Sequence, residues 1–369
     1  MFKRTLIAAS LTVAALASAQ AMAANVTGGG ATLPAALYKG SSNSILPANF
    51  SYVGTGSGTG KTAFLTNNSA LFSTTGSVHF AGSDSILSAS EISTYNTNFG
   101  ASYGPLIQLP SVATSVAIPY KKAGQTALNL TSAQLCNVFS GTATTWGQLL
   151  GNSDATPIRV VYRSTASGTS EILTRHLNNV CPGKFSVNTT FANSLLPAGT
   201  ALPSTFVGVA NTADVAVAVN AVDGSIGYVG PDGVNASSNA VVSRVNGVQP
   251  TPANVTTALS SVALPTAPAN PAQWAPVVAN PTSGYPIAAY TNFIFGQCYK
   301  DASVAADVKA FLTTHYSVPG NAAATIAHGF SVVPTNWKNA VTANFITNST
   351  GNNLNINNAS VCNGIGRPL

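Results

Sequence analysis

Charged side chains are scarce in this sequence. Asp, Glu, Lys and Arg together make up 7% of the 369 residues, with 15 basic and 9 acidic side chains. The basic residues are scattered and form no run longer than two, such as Lys121-Lys122. A nucleic-acid-binding protein gathers them on one face. We therefore predict no nucleic-acid partner and a surface built largely from Ser, Thr, Asn and Gly.

Long apolar runs are missing after residue 23. No later segment reaches the about 18 continuous apolar residues that a membrane-spanning helix needs, so we predict no membrane span. The beginning is typical of an export signal: Lys3 and Arg4 precede an apolar stretch from Leu6 to Leu16, and Ala21-Met22-Ala23 is an A-x-A-type cleavage site. We assign residues 1–23 to a signal peptide and expect a periplasmic or secreted protein. Loss of Lys3 and Arg4 lowers the formal charge from +6 to +4.

The patterns that enzymes and metal sites need are also absent. The 4 His residues are dispersed, and there is no C-x-x-C pair, no G-x-S-x-G elbow and no clustered His and carboxylate set. A hydrolase remains the main alternative, with Ser57, Ser167 or Thr169 as nucleophile. That nucleophile needs a nearby base. His79 lies on a predicted strand and His176 about two turns into a helix, too far from its start. We predict no catalytic residue, metal or cofactor, with weak hydrolytic activity left open.

Cysteine is rare but even in number, with Cys136, Cys181, Cys298 and Cys362. An even count in an exported chain favours two disulfides, for which three pairings are possible. The simplest pairing joins sequence neighbours. Each bridge would then close a long loop and stabilise the fold by roughly 4 kcal/mol in the chain-entropy model.

Short β-rich runs alternate with helix-like segments along the mature chain. This alternation predicts an α/β fold with parallel sheets, and the length predicts two domains. The predicted strands are Val26–Gly30, Phe50–Val53, Val78–Ala81, Leu106–Tyr120, Ile158–Tyr162 and Ile226–Val229. The predicted helices are Ala31–Tyr38, Lys61–Leu65, Ser132–Phe139, Glu171–Leu177 and Asp301–His315. Residues 231–285 lack a regular period, and we expect a loop-rich excursion with one short helix near Ala253–Leu259.

Three turns rich in Gly, Ser and Thr follow predicted strands, and each is placed to open a helix. A helix N-terminus presents free N–H groups and a partial positive charge, so it suits an anion. In open α/β sheets, ligands bind beyond the carboxyl ends of the strands, where such turns lie. One turn alone is more often an ordinary helix cap. The three are Gly29-Gly30-Ala31-Thr32-Leu33, Gly56-Ser57-Gly58-Thr59 and Ser167-Gly168-Thr169-Ser170.

Two charged residues indicate that the anion predicted from these turns is phosphate. Arg163 ends a predicted strand just before the third turn, and a guanidinium can donate two N–H groups to a phosphate. Asp84 ends another strand in Ala81-Gly82-Ser83-Asp84. Phosphate carries an O–H that needs an acceptor, whereas sulfate carries none at neutral pH. One buried Asp can therefore accept from phosphate and repel sulfate. A surface ion pair for Arg163 and a helix cap for Asp84 are the plainer alternatives.

The motifs resemble those of the DING-type phosphate-binding proteins, relatives of the periplasmic phosphate-binding subunit of bacterial phosphate ABC transporters. The resemblance covers essentially the whole mature chain. It rests on Gly28-Gly29-Gly30-Ala31-Thr32-Leu33-Pro34, Ala81-Gly82-Ser83-Asp84-Ser85, Pro110-Ser111-Val112-Ala113-Thr114-Ser115-Val116-Ala117-Ile118-Pro119, Leu135-Cys136-Asn137-Val138-Phe139-Ser140-Gly141, Thr174-Arg175-His176-Leu177-Asn178 and Val361-Cys362-Asn363-Gly364.

The resemblance implies a two-lobe periplasmic-binding-protein fold of type II, the Venus flytrap, with a two-segment hinge. Lobe one would hold residues 24–115 and 286–369, and lobe two residues 116–285. The protein would be a monomer that binds a phosphate ion and could serve a phosphate ABC transporter permease. The resemblance supports the disulfides Cys136–Cys181 and Cys298–Cys362. The implied phosphate ligands are Thr32, the Leu33 N–H, Ser57, Asp84, Arg163, Ser167, the Gly168 N–H and Thr169.

Two departures from the family pattern stand out. The N-terminus that names the family, Asp-Ile-Asn-Gly, is Asn25-Val26-Thr27-Gly28 here, and we expect little effect. The acidic residue usual two positions after the ligand Arg is Thr165 here. We expect this change to leave Arg163 less fixed and the pocket more positive. A secreted surface or adhesive protein with the same fold is a third alternative.

Overall fold

The computed structural model describes residues 24–368, so the predicted signal peptide lies outside the described residues. Two mixed sheets organise the chain. The strands are β1 (Val26–Gly30), β2 (Phe50–Gly54), β3 (Phe80–Ser83), β4 (Leu106–Ser115), β5 (Ile118–Lys121), β6 (Asn129–Leu130), β7 (Arg159–Arg163), β8 (Phe206–Val209), β9 (Ser225–Gly227), β10 (Val242–Val245) and β11 (Ala288–Gly296). The first sheet has the order β2-β1-β3-β11-β4, and the second β6-β10-β5-β9-β7-β8.

Helices cover both sheets. They are α1 (Ala35–Lys39), α2 (Ser57–Thr66), α3 (Ala89–Tyr95), α4 (Ala101–Tyr103), α5 (Ser132–Phe139), α6 (Trp146–Leu150), α7 (Gly168–Val180), α8 (Thr212–Asn220), α9 (Pro252–Leu259), α10 (Ala302–Tyr316), α11 (Ala322–Ala327) and α12 (Thr335–Val341). Within residues 24–368, no helix combines the length and the apolar character that crossing a membrane requires.

The predicted parallel pairing holds for only some of the strands. Strands β1, β2 and β3 are parallel, but β11 runs antiparallel to both β3 and β4. In the second sheet, β7 is parallel to β8 and β9, whereas β5 is antiparallel to β9 and β10. The reversed strands are those that carry the chain between the sheets. The alternation of strands and helices in the sequence predicts the parallel strands joined by helices, but it does not predict which strands run in the opposite direction.

The predicted strand Leu106–Tyr120 is divided into β4 and β5, which belong to different sheets. At the break, the Val116 N–H donates to the Ile287 carbonyl at 2.9 Å, and the Tyr285 hydroxyl donates to the Val116 carbonyl at 2.9 Å. The outgoing and returning crossings of the chain therefore lie side by side.

Each sheet has its own hydrophobic core. We call the part built on the first sheet the first lobe and the part built on the second sheet the second lobe. Phe293 and Trp337 lie in the first core, and Trp146 and Phe139 in the second. Helix α9 packs on β4 and β11 and Trp274 is buried in the first core, whereas Tyr285 and Ile287 are buried in the second core. The expected short helix near Ala253–Leu259 is α9.

Two disulfides lie one in each lobe. Cys136 pairs with Cys181 in the second lobe, and Cys298 pairs with Cys362 in the first. The first bridge links α5 to the end of α7, and the second ties the C-terminal segment to the turn after β11. The predicted pairing is therefore confirmed.

Candidate anion-binding site

The site lies where the two lobes meet, a boundary that we call the seam. Two of the three predicted turns sit here at the starts of long helices: Ser57 is the first residue of α2, and Ser167 precedes the first residue of α7. The Ser57 hydroxyl accepts from the Gly168 N–H across the seam at 3.2 Å. The N-termini of α2 and α7 thus face each other, and both direct partial positive charge to one point.

The third turn has a different local structure. Gly30 has φ of +132° and lies too close to the Gly82 carbonyl to carry a side chain. Helix α1 begins only at Ala35, after Pro34, so Thr32 and Leu33 belong to the preceding turn rather than to the helix predicted from Ala31. Leu33 is buried, and its side chain packs against Gly230 of the second lobe. This turn therefore reaches the seam as well.

Arg163 ends β7 and is 1% exposed. Its Nε donates to the Ala210 carbonyl at 2.8 Å, and its Nη2 donates to the Thr165 hydroxyl at 3.0 Å. Among the described residues, no carboxylate lies within ion-pair distance of this guanidinium. Its Nη1 lies within reach of three hydroxyls, those of Thr32 at 2.8 Å, Ser167 at 3.1 Å and Thr212 at 2.6 Å.

The substitution at Thr165 therefore does not release the guanidinium. Thr165 Oγ1 accepts from Arg163 and itself donates to the Ala210 carbonyl at 3.0 Å, so a neutral hydroxyl holds this arm. The change to Thr165 instead affects the net charge of the site. A buried guanidinium surrounded by neutral acceptors keeps its full positive charge, because Arg does not deprotonate in proteins.

Asp84 lies on the first-lobe side of the seam and is 6% exposed. Its backbone N–H donates to the Ser57 hydroxyl at 3.1 Å, and that hydroxyl donates weakly to Asp84 Oδ2 at 3.4 Å. Within residues 24–368, Asp84 Oδ1 has no hydrogen-bond partner. Burial raises the pKa of Asp84 to about 7, against the opposing effects of the nearby Thr291 hydroxyl, the Arg163 guanidinium and the Ser57 hydroxyl.

Thr169 also carries a buried atom without a hydrogen-bond partner. Its side chain is 0% exposed, and no described residue hydrogen-bonds its Oγ1. An unsatisfied buried hydroxyl costs about 1–3 kcal/mol. A ligand that accepts from Thr169 and donates to Asp84 would satisfy both orphan atoms, and a protonated oxyanion does both.

The eight sequence-predicted residues all lie at the seam. Thr32, Leu33, Ser57 and Asp84 belong to the first lobe, and Arg163, Ser167, Gly168 and Thr169 to the second. All of them are buried except Thr32, which is half-buried. Their individual roles as ligands stay predictions.

Sequence reasoning missed Thr212, which begins α8 and contacts both Arg163 and Thr32. It also missed Tyr228, whose hydroxyl accepts from the Arg163 N–H at 2.9 Å. Burial raises the pKa of Tyr228 to about 12, so this phenol stays neutral. The run Asn211-Thr212-Ala213-Asp214 is typical of a helix start, and this pattern could have drawn attention to Thr212. Nothing in the sequence indicates that Tyr228 lies beneath the site.

The histidines do not join the site. The His79 Nδ1 accepts from the Thr27 N–H at 2.9 Å at the far end of the first sheet, and the His176 Nε2 contacts the Ser132 hydroxyl at 3.2 Å. Burial lowers the pKa of both to about 4. Across residues 24–368, no three His, Cys, Asp or Glu side chains gather in a group that could hold a metal ion.

Comparison with known proteins agrees with this geometry. The PBP superfamily domain matches residues 17–317. The chain is 64% identical over 371 residues to a Pseudomonas aeruginosa protein named alkaline phosphatase L, with all of both chains covered.

Two solved structures share the two-lobe fold. A phosphate-binding protein from Stenotrophomonas maltophilia is 49% identical, with a TM-score of 0.87 over 94% of this chain and 100% of that one. The high-affinity periplasmic phosphate-binding protein PfluDING, solved with phosphate bound, is 44% identical, with a TM-score of 0.87 and the same coverage. The predicted α/β fold of the type II periplasmic-binding class is therefore confirmed. The chain belongs to the PBP superfamily and, within it, to the DING-type phosphate-binding proteins.

Proposed function

We propose that this protein binds one inorganic phosphate ion at the seam between its lobes. One observation carries the proposal: the buried Arg163 guanidinium has no carboxylate partner among the described residues, and buried atoms without a hydrogen-bond partner, Asp84 Oδ1 and Thr169 Oγ1 among them, lie at the same site. A buried charge is costly unless it is paired. An oxyanion supplies the missing negative charge, and its protonated oxygen supplies a donor for Asp84.

The buried carboxylate favours phosphate over sulfate. At pH 8 an ionised Asp84 accepts the O–H of phosphate, whereas it repels sulfate, which has no proton to give. The hydroxyls of Ser57 and Thr169 and the N–H groups at the starts of α2 and α7 complete the shell of donors. The relative PfluDING was solved with phosphate bound, which supports the same ligand here.

We propose that binding is coupled to closure of the lobes. The crossings near Val116 and Ile287, joined by a 2.9 Å hydrogen bond, form the two-segment hinge. The predicted division assigns residues 24–115 and 286–369 to one lobe and 116–285 to the other. Because α9 and Trp274 pack on the first lobe, we infer that residues 252–274 move with it, whereas Tyr285, which is buried in the second core, lies at the hinge. Closure then buries the ion and brings Gly168 against Ser57.

We further propose an exported protein that works as a monomer and delivers phosphate to an ABC transporter permease or retains it outside the cell. The signal-like N-terminal sequence supports export, and two disulfides suit an oxidising compartment.

Calorimetry tests the proposed ligand. Protein that has been unfolded, stripped of ligand and refolded should bind phosphate with one-to-one stoichiometry. Refolded protein with native circular dichroism and no heat of phosphate binding would refute the proposal.

A second candidate, phosphomonoester hydrolysis, is favoured by the name of the 64% identical relative, alkaline phosphatase L. Ser57 Oγ lies 3.4 Å from Asp84 Oδ2, so a hydroxyl and a carboxylate of raised pKa lie together. The closed seam opposes this role, since an ester group would have to fit where Gly168 approaches Asp84.

Hydrolysis of p-nitrophenyl phosphate by wild type, Ser57→Ala and Arg163→Ala separates the two functions. Turnover that both substitutions abolish would make the site catalytic. Turnover that neither changes would place it outside this site, and binding would remain the function of the seam.

A further inference from the structure

We infer that Thr212 is a positioning residue for the buried guanidinium of Arg163, in a site that holds this charge without a carboxylate. The inference rests on the proposed function and deepens it. Thr212 Oγ1 lies 2.6 Å from Arg163 Nη1, and the residue is 4% exposed. It opens α8, a segment that contributes none of the sequence-predicted ligands.

The Thr212 hydroxyl restrains Nη1, one of the two terminal nitrogens of the Arg163 guanidinium. Arg163 Nη1 meets the hydroxyls of Thr32 and Thr212, which lie 2.7 Å from each other and belong to different lobes. Nη2 is held by Thr165, and Nε by the Ala210 carbonyl. A planar guanidinium restrained at all three nitrogens can present its remaining Nη2 N–H to an oxyanion with little loss of side-chain freedom.

A purely structural role for Thr212 is the alternative, since it stands at a helix start. That role is already filled. The Asp214 carboxylate accepts from the Asn211 N–H and from the Asn211 side-chain amide, both at 3.1 Å. The Thr212 hydroxyl has its partners in Arg163 and Thr32 instead, so its removal should affect the ligand site more than the helix.

The test compares Thr212→Val, which removes the hydroxyl at similar volume, with Thr212→Ser, which keeps it. Loss of one hydrogen bond to a charged group predicts phosphate binding about tenfold weaker for Thr212→Val. Thr212→Ser should stay within about threefold of wild type, because the acceptor is retained. Thr335→Val is the matched control, since Thr335 is the exposed first residue of α12, and it should leave binding unchanged.

A double-mutant cycle separates positioning from simple destabilisation. In an Arg163→Lys background there is no Nη1 to hold, so Thr212→Val should cost less than about threefold. An equal cost in both backgrounds, or wild-type affinity for a folded Thr212→Val protein, would overturn the inference. If Thr212→Val does not fold, Thr212→Ala removes the same hydroxyl and takes its place in the cycle. Wild-type protein that binds no phosphate would overturn the proposed function, and this inference with it.

Discussion

Gly168 and Asp84 approach each other across the seam so closely that a β-carbon on Gly168 would lie 2.4 Å from the Asp84 β-carbon. The same added atom would lie 2.6 Å from Ser57 Oγ. Gly168 thus serves in two ways: its N–H donates to Ser57, and its lack of a side chain lets the lobes meet. The closed arrangement of the site depends on this one small residue.

Gly168→Ala should therefore prevent full closure. We expect phosphate affinity to fall by at least about 100-fold, because displaced donors can no longer surround the ion. The matched control is Gly100→Ala, whose added β-carbon would meet Asn96 at an ordinary 3.7 Å. Calorimetry gives both affinities, and small-angle scattering with phosphate present should show a more open Gly168→Ala protein. A Gly168→Ala protein that closes and binds phosphate like wild type would show that the seam can accommodate a β-carbon at position 168.

Arg163→Ala should weaken phosphate binding by at least about 3 kcal/mol, because it removes the main positive partner of a buried anion. Arg159→Ala is the control on the same strand, since Arg159 Nη1 donates to the Ala218 carbonyl and the Ser225 hydroxyl away from the site. Near-native affinity of the Arg163 variant would exclude Arg163 as a ligand.

Anion selectivity should depend on Asp84 and on pH. Below its pKa of about 7, Asp84 becomes a neutral donor, so sulfate binding should strengthen as the pH falls from 8 to 5. The Asp84→Asn protein should bind sulfate at both pH values, and its sulfate affinity should no longer depend on pH. The other titratable groups facing Asp84 are Arg163, Glu171, Tyr38 and Tyr52; burial raises the pKa of both tyrosines. Selectivity that is unchanged in Asp84→Asn would assign the discrimination to another acceptor.

The raised pKa of Asp84 also predicts how the stability of the ligand-free protein varies with pH. Between the ordinary value near 4 and about 7, the unfolded chain has released this proton while the folded protein still holds it. The Asp84 contribution to the free energy of unfolding is therefore greatest below pH 4 and is lost as the pH rises to 7. Urea unfolding should show this decline in wild type and a smaller decline in Asp84→Asn. Parallel curves would contradict the raised pKa.

His328 and Asp232 form a further contact across the seam. His328 Nδ1 lies 3.0 Å from both carboxylate oxygens of Asp232, with the histidine on the first lobe and the aspartate on the second. A partly exposed pair of this kind contributes up to about 1 kcal/mol. We expect His328→Ala to speed phosphate release by up to about fivefold in stopped-flow measurements. Lys122→Ala, which breaks the Lys122–Asp154 pair within the second lobe, should leave the release rate unchanged.

Much of the fold could be predicted because local signals agree with it. The sequence predicts a helix over Ser132–Phe139, and the structure has a helix with those bounds. The turns at Ser57 and Ser167 predict helix starts, and α2 and α7 begin there. The two disulfides followed the family resemblance, and the structure confirms them.

The parts that could not be predicted depend on contacts distant in sequence. The division of residues 106–120 between two sheets follows from pairing with β11 and β10, far along the chain. The contact of Thr212 with Arg163 joins residues 49 positions apart, and its contact with Thr32 joins residues 180 apart. The hydrogen bond from Arg163 to the Thr165 hydroxyl could not be predicted either, because it depends on the geometry of the two side chains.

Titration of phosphate into stripped, refolded protein at pH 8, with and without a large excess of sulfate, tests whether the seam binds phosphate and rejects sulfate. We predict tight one-to-one binding whose affinity sulfate does not change, because Arg163 supplies the charge and ionised Asp84 rejects an anion without a proton. Absence of phosphate binding in folded protein, or equal competition by sulfate, would contradict it.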